Sequence, residues 1–193
     1  ADKVENILEK MTDELLWYQE ESLFTANQVK KIVKARRSHD TAPAEDATLD
    51  FFLDAIKYEK QLEKTKVKRK KALSKENVKH DFRHDNGIKR RVMHLYDRAC
   101  RKFRHNKLLW KEYLEFLTRT KSLNKLNRTV ANALLVHPDT LDFWQIGAYA
   151  ELELEELVFI QEPHALGLKA NEDSSTFQLA YLEFEVKFLD KIM

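Results

Sequence analysis

An all-α fold is predicted for this chain, and three observations predict it. The 193 residues include three glycines (Gly87, Gly147, Gly167) and three prolines (Pro43, Pro138, Pro163), far below the usual shares of about 7% and 5%, so few positions interrupt a helix. Apolar residues recur at the i, i+3, i+4, i+7 spacing of an amphipathic helix through most of the chain. The second half also matches itself at a shift of 34 residues, the length of a helix pair. The glycine count has a functional consequence. Dinucleotide loops, Walker A loops and Gly-x-Ser-x-Gly elbows all need closely spaced glycines, and the chain has none.

In chain order, Val4, Ile7, Leu8, Met11, Leu15 and Tyr18 form the apolar stripe of a first helix. Thr25 and Gln28 have capping-box spacing, and Phe24 and Val29 stand where a hydrophobic staple would fix the entry of a second helix carrying Ile32 and Val33. Residues 1–37 are therefore predicted as an N-terminal helical hairpin. Residues 38–48 lose the period, contain Pro43 and read as a linker. From Leu49 a long helix carries Phe52, Ile56, Leu62 and Leu73 and grows steadily more basic, until the Asn86-Gly87 turn signal ends it. Val92, Leu95, Tyr96, Ala99 and Phe103 restart the stripe.

At the shift of 34, Trp110 meets Trp144, Tyr113 meets Gly147 and Tyr181, Phe116 meets Ala150 and Phe184, and Glu151 meets Glu185. An earlier copy, Phe52, Ala55, Tyr58 and Glu59, is offset by 58, so one unit holds a basic insertion. These positions share one side of a helix, and each unit must stack on the next to bury them. Leu126, Val130, Ala133 and Leu134 mark a second helix of the pair, stopped at His137-Pro138. Ser175 and Gln178 offer a cap for the last helix, whose apolar face is left without a following partner helix. The expectation is a solenoid over residues 49–193 of about four units, the last truncated, with further units beyond Met193.

Charge is divided along the chain. Residues 57–107 hold 19 basic and 6 acidic side chains, whereas residues 138–193 hold 3 basic and 12 acidic. Such asymmetry predicts separate contacts for the two stretches. The single cysteine, Cys100, allows no intrachain disulfide, and no run of about 18 apolar residues suggests a membrane span. These features point to a reducing compartment, cytosol or nucleus.

The pattern Trp110-x-x-Tyr113-x-x-Phe116, with Trp144 and Glu151, Tyr181-x-x-Phe184-Glu185, and Leu95-Tyr96-Asp97-Arg98-Ala99-Cys100 as a second helix, resembles the half-a-tetratricopeptide (HAT) repeat family. The stretch Phe24-Thr25 through Gln28 to Arg37, followed by Tyr58 to Lys64, is similar to a family of U3 small nucleolar RNA-associated proteins of the small-subunit processome. The resemblance implies a nucleolar, non-catalytic scaffold in pre-18S ribosomal RNA maturation. Its implied partners are protein subunits of a pre-ribosomal subcomplex, including WD40-propeller proteins. It implies no cofactor, no small-molecule substrate and no membrane. Gly147 and Ala150 depart from the aromatic pattern, Leu117 and Gln178 also differ, and Pro163 predicts a short or kinked helix.

Candidate sites follow from charge and spacing. Lys66, Lys68, Arg69, Lys70 and Lys71, with Lys89, Arg90 and Arg91, could neutralise the phosphates of U3 or precursor ribosomal RNA, or meet an acidic partner. The alternative is a solvated helix face. Phe52, Tyr58, Tyr96, Trp110, Tyr113, Phe116, Trp144, Tyr181 and Phe184 are expected to pack repeats together rather than stack on bases, because they keep helical register with the 34-residue unit. Glu151, Glu153, Glu155 and Glu156 form an acidic docking face in preference to a catalytic carboxylate pair. His80 and His84 are one turn apart, yet a closed zinc site needs four ligands and Cys100 is the only thiol. Cys100 falls in an apolar stripe and is expected to be packing. Two other classes remain in view: a HAT scaffold of messenger RNA 3′-end processing or splicing, and an all-helical metal or carboxylate enzyme.

Overall fold

The Leu, Lys, Glu, Gln and Arg residues of 49–73, with no Gly or Pro among them, favour helix. A computed structural model shows the result. It describes residues 12–41, 47–73, 85–154, 171, 174–176, 178, 179, 182, 183, 186 and 190. Among the described residues there are helices, turns and bends, and no strand. The helices are α1 (residues 12–20), α2 (Ala26–Thr41), α3 (Leu49–Leu73), α4 (Gly87–Lys102), α5 (Lys107–Arg119), α6 (Leu123–Val136) and α7 (Leu141–Leu154). The chain divides into two compact units, Ala1–Ala99 and Cys100–Met193.

In the first unit, α1 closes at Ser22, which takes a left-handed φ of 54°. That turn lets the amides of Leu23 and Phe24 both reach the Tyr18 carbonyl, at 2.9 and 3.0 Å, satisfying the frayed end of α1. The capping box at the start of α2 forms as its spacing requires. The Thr25 amide donates to Gln28 Oε1 at 3.1 Å, and the Gln28 amide donates to Thr25 Oγ1 at 3.3 Å. The staple residues Phe24 and Val29 are both buried.

Helix α2 runs on to Thr41, four residues into the stretch that sequence assigns to a linker. Tertiary contacts explain the extension. His39 meets the edges of Phe51 and Tyr58, with ring centroids 5.8 and 6.0 Å apart, and Asp40 accepts from Arg91. The apolar core of this unit gathers Leu15, Tyr18, Leu23, Ile32, Phe52, Ala55, Ile56, Ile88, Val92, Leu95 and Tyr96, all buried. At Gly87, the first residue of α4, the reason for glycine is space rather than a left-handed backbone. A Cβ there would lie 2.5 Å from the Glu14 carboxyl carbon.

The second unit contains the repeat. Helices α5, α6 and α7 pack against one another, with α6 against both neighbours and α5 also touching α7. This is the stacking of helix pairs that a solenoid requires. Asn106 caps α5, its side chain accepting from the Leu109 amide at 3.0 Å. Lys121, at φ 51°, turns the chain between α5 and α6. Helix α6 stops at Val136, ahead of His137-Pro138, as the proline dictates.

The two copies of the repeat match atom for atom at their tryptophans. Trp110 Nε1 donates to the Arg104 carbonyl at 2.7 Å, and Trp144 Nε1 donates to the Pro138 carbonyl at 2.9 Å. Each indole reaches six residues back, and both ends of the bond shift by the same 34 positions. His137 Nε2 shares the Arg104 carbonyl at 3.0 Å. Gly147, which departs from the aromatic pattern, has its own role. A Cβ there would come 3.0 Å from Val130 Cγ1, so the glycine sets a close approach of α7 to α6.

Candidate functional site

The basic segment is the natural place to begin, and the phase of α3 decides which of its side chains are available. Phe52, Ala55, Ile56, Glu59, Leu62 and Lys66 occupy the buried stripe of that helix. Lys66, one turn after Leu62, therefore points inward and is 1% exposed. Its ammonium pairs with Glu63 at 2.9 Å and donates to the Asp85 carbonyl. Lys70, one further turn on, donates to Asp85 Oδ2 at 2.8 Å. Two lysines thus clamp the residue that opens the turn before α4. Burial alone would raise the Asp85 pKa. The Lys70 hydrogen bond and the charges of Lys66 and Lys70 outweigh burial and hold it below the usual carboxylate value.

Arg69 is also spent inside the molecule. It donates to the Leu23 carbonyl at 2.6 Å and to Gln28 Oε1 at 2.8 Å, and its guanidinium lies 4.9 Å from the centre of the Phe24 ring. Arg91 donates to Glu59 at 3.0 Å and to both oxygens of Asp40 at 3.0 Å. Of the eight expected cations, Lys66, Arg69, Lys70 and Arg91 serve as cross-links. Lys68, Lys71 and Arg90 are exposed, and Lys89 is half-buried.

Sequence reasoning missed the centre of these cross-links. Arg36 of α2 is fully buried and grips Glu59 of α3 through Nε and Nη2 at 2.8 and 2.9 Å. It also pairs with Glu14 of α1 at 3.4 Å, while Tyr18 donates to Glu14. Arg91 brings α4 to the same Glu59. One carboxylate therefore joins three helices. Burial would lower the Arg36 pKa, but the Glu59 charge and hydrogen bonds, together with Glu14, push it above its ordinary value. Burial, then the Glu14 charge, raises the Tyr18 phenol. The signal was legible only in part: Arg36 and Glu59 each interrupt an apolar stripe at a core position.

Phe52, Tyr96, Trp110, Tyr113, Phe116 and Trp144 are buried, and Tyr58 is half-buried beside His39. Tyr96 accepts a 2.6 Å hydrogen bond from Lys60. Tyr181 and Phe184 lie outside the described residues. Of the acidic face, Glu153 is exposed at the end of α7. The Glu151 side chain, Glu155 and Glu156 fall outside the described residues, as do His80 and His84. Cys100 is buried at 2% exposure. Among the described residues no group of three His, Cys, Asp or Glu is placed to hold a metal ion, and no helix is long and apolar enough to cross a membrane.

The described ion pairs make a cross-linked helical frame of α1 to α4. Residues 8–91, which span α1 to α3 and the start of α4, match the family model of U3 small nucleolar RNA-associated protein 6. Over its whole length the chain is 27% identical to U3 small nucleolar RNA-associated protein 6 of Schizosaccharomyces pombe (strain 972 / ATCC 24843), and it spans 39% of that protein's length. The chain is thus similar to U3 small nucleolar RNA-associated protein 6, most specifically over residues 8–91.

Proposed function

We propose that this chain is a non-catalytic scaffold of the small-subunit processome, associated with U3 small nucleolar RNA and supporting pre-18S ribosomal RNA processing in the nucleolus. The observation that carries the reading is the family match over residues 8–91. This stretch holds the buried Glu14–Arg36–Glu59 junction, so the matched segment is a folded body. Extended faces of stacked helix pairs suit protein contacts, and WD40-propeller subunits are the partners the resemblance implies. The exposed cations Lys68, Lys71 and Arg90, with Lys89, serve RNA or an acidic subunit, and the acidic residues Glu151, Glu153, Glu155 and Glu156 serve a separate protein contact.

Affinity purification of the tagged chain from nuclear extract tests this reading. U3 RNA and propeller proteins should be enriched over spliceosomal RNAs and cleavage factors. Enrichment of splicing or 3′-end processing components instead would assign the chain to a different HAT scaffold.

A further inference from the structure

We propose that the outward flank of the α2–α3 pair, carrying Lys31, Lys34, Lys64 and Lys68, binds the phosphate backbone of single-stranded RNA. Three contacts establish the register of the pair: Gln28 with Arg69, Arg36 with Glu59, and His39 with Tyr58. Residue numbers fall along α3 as they rise along α2, so the helices are antiparallel. Lys31 and Lys34 lie between the first two of those cross-links on α2, and Lys64 and Lys68 lie between the same two on α3. The four lysines therefore stand at one level of the molecule.

Helix geometry then places them on one flank. Arg36 and Glu59 turn toward α1 and α4, where Glu14 and Arg91 meet them. At 3.6 residues per turn, Lys31 and Lys34 lie about 140° and 160° around α2 from Arg36, and Lys64 and Lys68 about 140° and 180° around α3 from Glu59. All four are exposed. None is paired with a carboxylate among the described residues. The interval holds few carboxylates that could neutralise them: α2 has none before Asp40, and Glu63 of α3 is engaged with Lys66.

The chemistry favours phosphate over a protein partner. No aromatic residue occurs between residues 28 and 36 or between 59 and 69, so neither a base-stacking platform nor an aromatic anchor is present. Lysine is depleted at protein interfaces, whereas its compact ammonium suits phosphate oxygens. Lys64 and Lys68 are about 6 Å apart along the helix axis, close to the spacing of successive phosphates on an extended strand. The contact is made by charge and is indifferent to sequence.

The test uses the 193-residue chain and a fluorescent 20-nucleotide uridine homopolymer, with affinity measured across salt concentrations. Lys31→Glu, Lys34→Glu, Lys64→Glu and Lys68→Glu combined should weaken binding on the order of a hundredfold at 0.15 M salt and lower the salt slope by about 3, since each neutralised phosphate of a single strand contributes roughly 0.7. A control variant, Arg104→Glu, Arg119→Glu, Lys121→Glu and Arg128→Glu, alters net charge equally and should lose far less. Both variants should keep the circular dichroism spectrum and melting temperature of the parent. An unchanged slope in the first variant, or an equal loss in the control, overturns the proposal. Retention of RNA binding with loss of protein subunits on purification would also overturn it, assigning the flank to an acidic protein. Failure of U3 enrichment with lysine-dependent binding intact would sink the processome reading and leave this surface standing.

Discussion

Arg36 and Glu59 are the residues on which the first unit depends most. Each is buried at 0% exposure, and each is tolerable there only because the other is present. Replacing Arg36 with Ala leaves Glu59 and Glu14 in the interior with too few donors. The expected cost is about 3–5 kcal/mol, measurable as a lowered urea midpoint at an unchanged slope. Glu59→Ala should cost a similar amount, because Arg91 loses a partner too. His39 supplies a pH-dependent term. Burial, then the Arg91 charge, lowers its pKa from the ordinary 6.5, against smaller opposing effects of Glu59, Asp40 and Asp54. Between 6.5 and the lowered folded value, the unfolded chain binds a proton that the folded chain refuses. Stability should therefore fall as pH drops through that window and level off beneath it. His39→Gln should flatten this part of the profile, as followed by thermal melts between pH 7.5 and 5. A variant with the parent's full slope would show that another group titrates.

A helix end is legible in sequence where that end carries its own chemistry. The Thr25–Gln28 box forms reciprocally, and α6 stops at its proline. Local hydrogen-bonding groups decide such ends, so neighbouring residues suffice to find them. The end of α2 was different, because residues 38–41 are helical through contacts with Phe51, Tyr58 and Arg91, which are remote in sequence. The α6–α7 contact makes a further prediction. Gly147 appeared only as a defect in the aromatic repeat, yet it admits Val130 to van der Waals contact. Gly147→Leu should destabilise the chain by about 1–3 kcal/mol through overpacking. Adding Val130→Ala should recover part of that loss, so a double-mutant cycle on chemical denaturation should give a favourable coupling term. Strict additivity would place the two side chains out of contact.

At the scale of the whole chain, Leu179, Leu182 and Val186 are 62%, 58% and 57% exposed and follow the i, i+3, i+7 spacing of one helix face. Changing all three to Gln should reduce binding of a hydrophobic dye and leave the melting temperature unaltered, since no burial is lost. A large drop in melting temperature would mean that the face is covered. The sequence by itself determined that this protein is helical, where most helices begin and end, and that a 34-residue unit carries aromatic residues into its core. Periodicity and capping are short-range properties, and Trp110 and Trp144 repeat the same bond because local geometry recurs. Only the tertiary structure decided which charges become cross-links. Lys66, Arg69, Lys70 and Arg91 lie in the same basic run as Lys68 and Lys71, but their acceptors are brought from Leu23, Gln28, Asp40, Glu59 and Asp85 by folding. A charge is visible in one residue, whereas its partner is chosen by the packing of helices far apart in the chain.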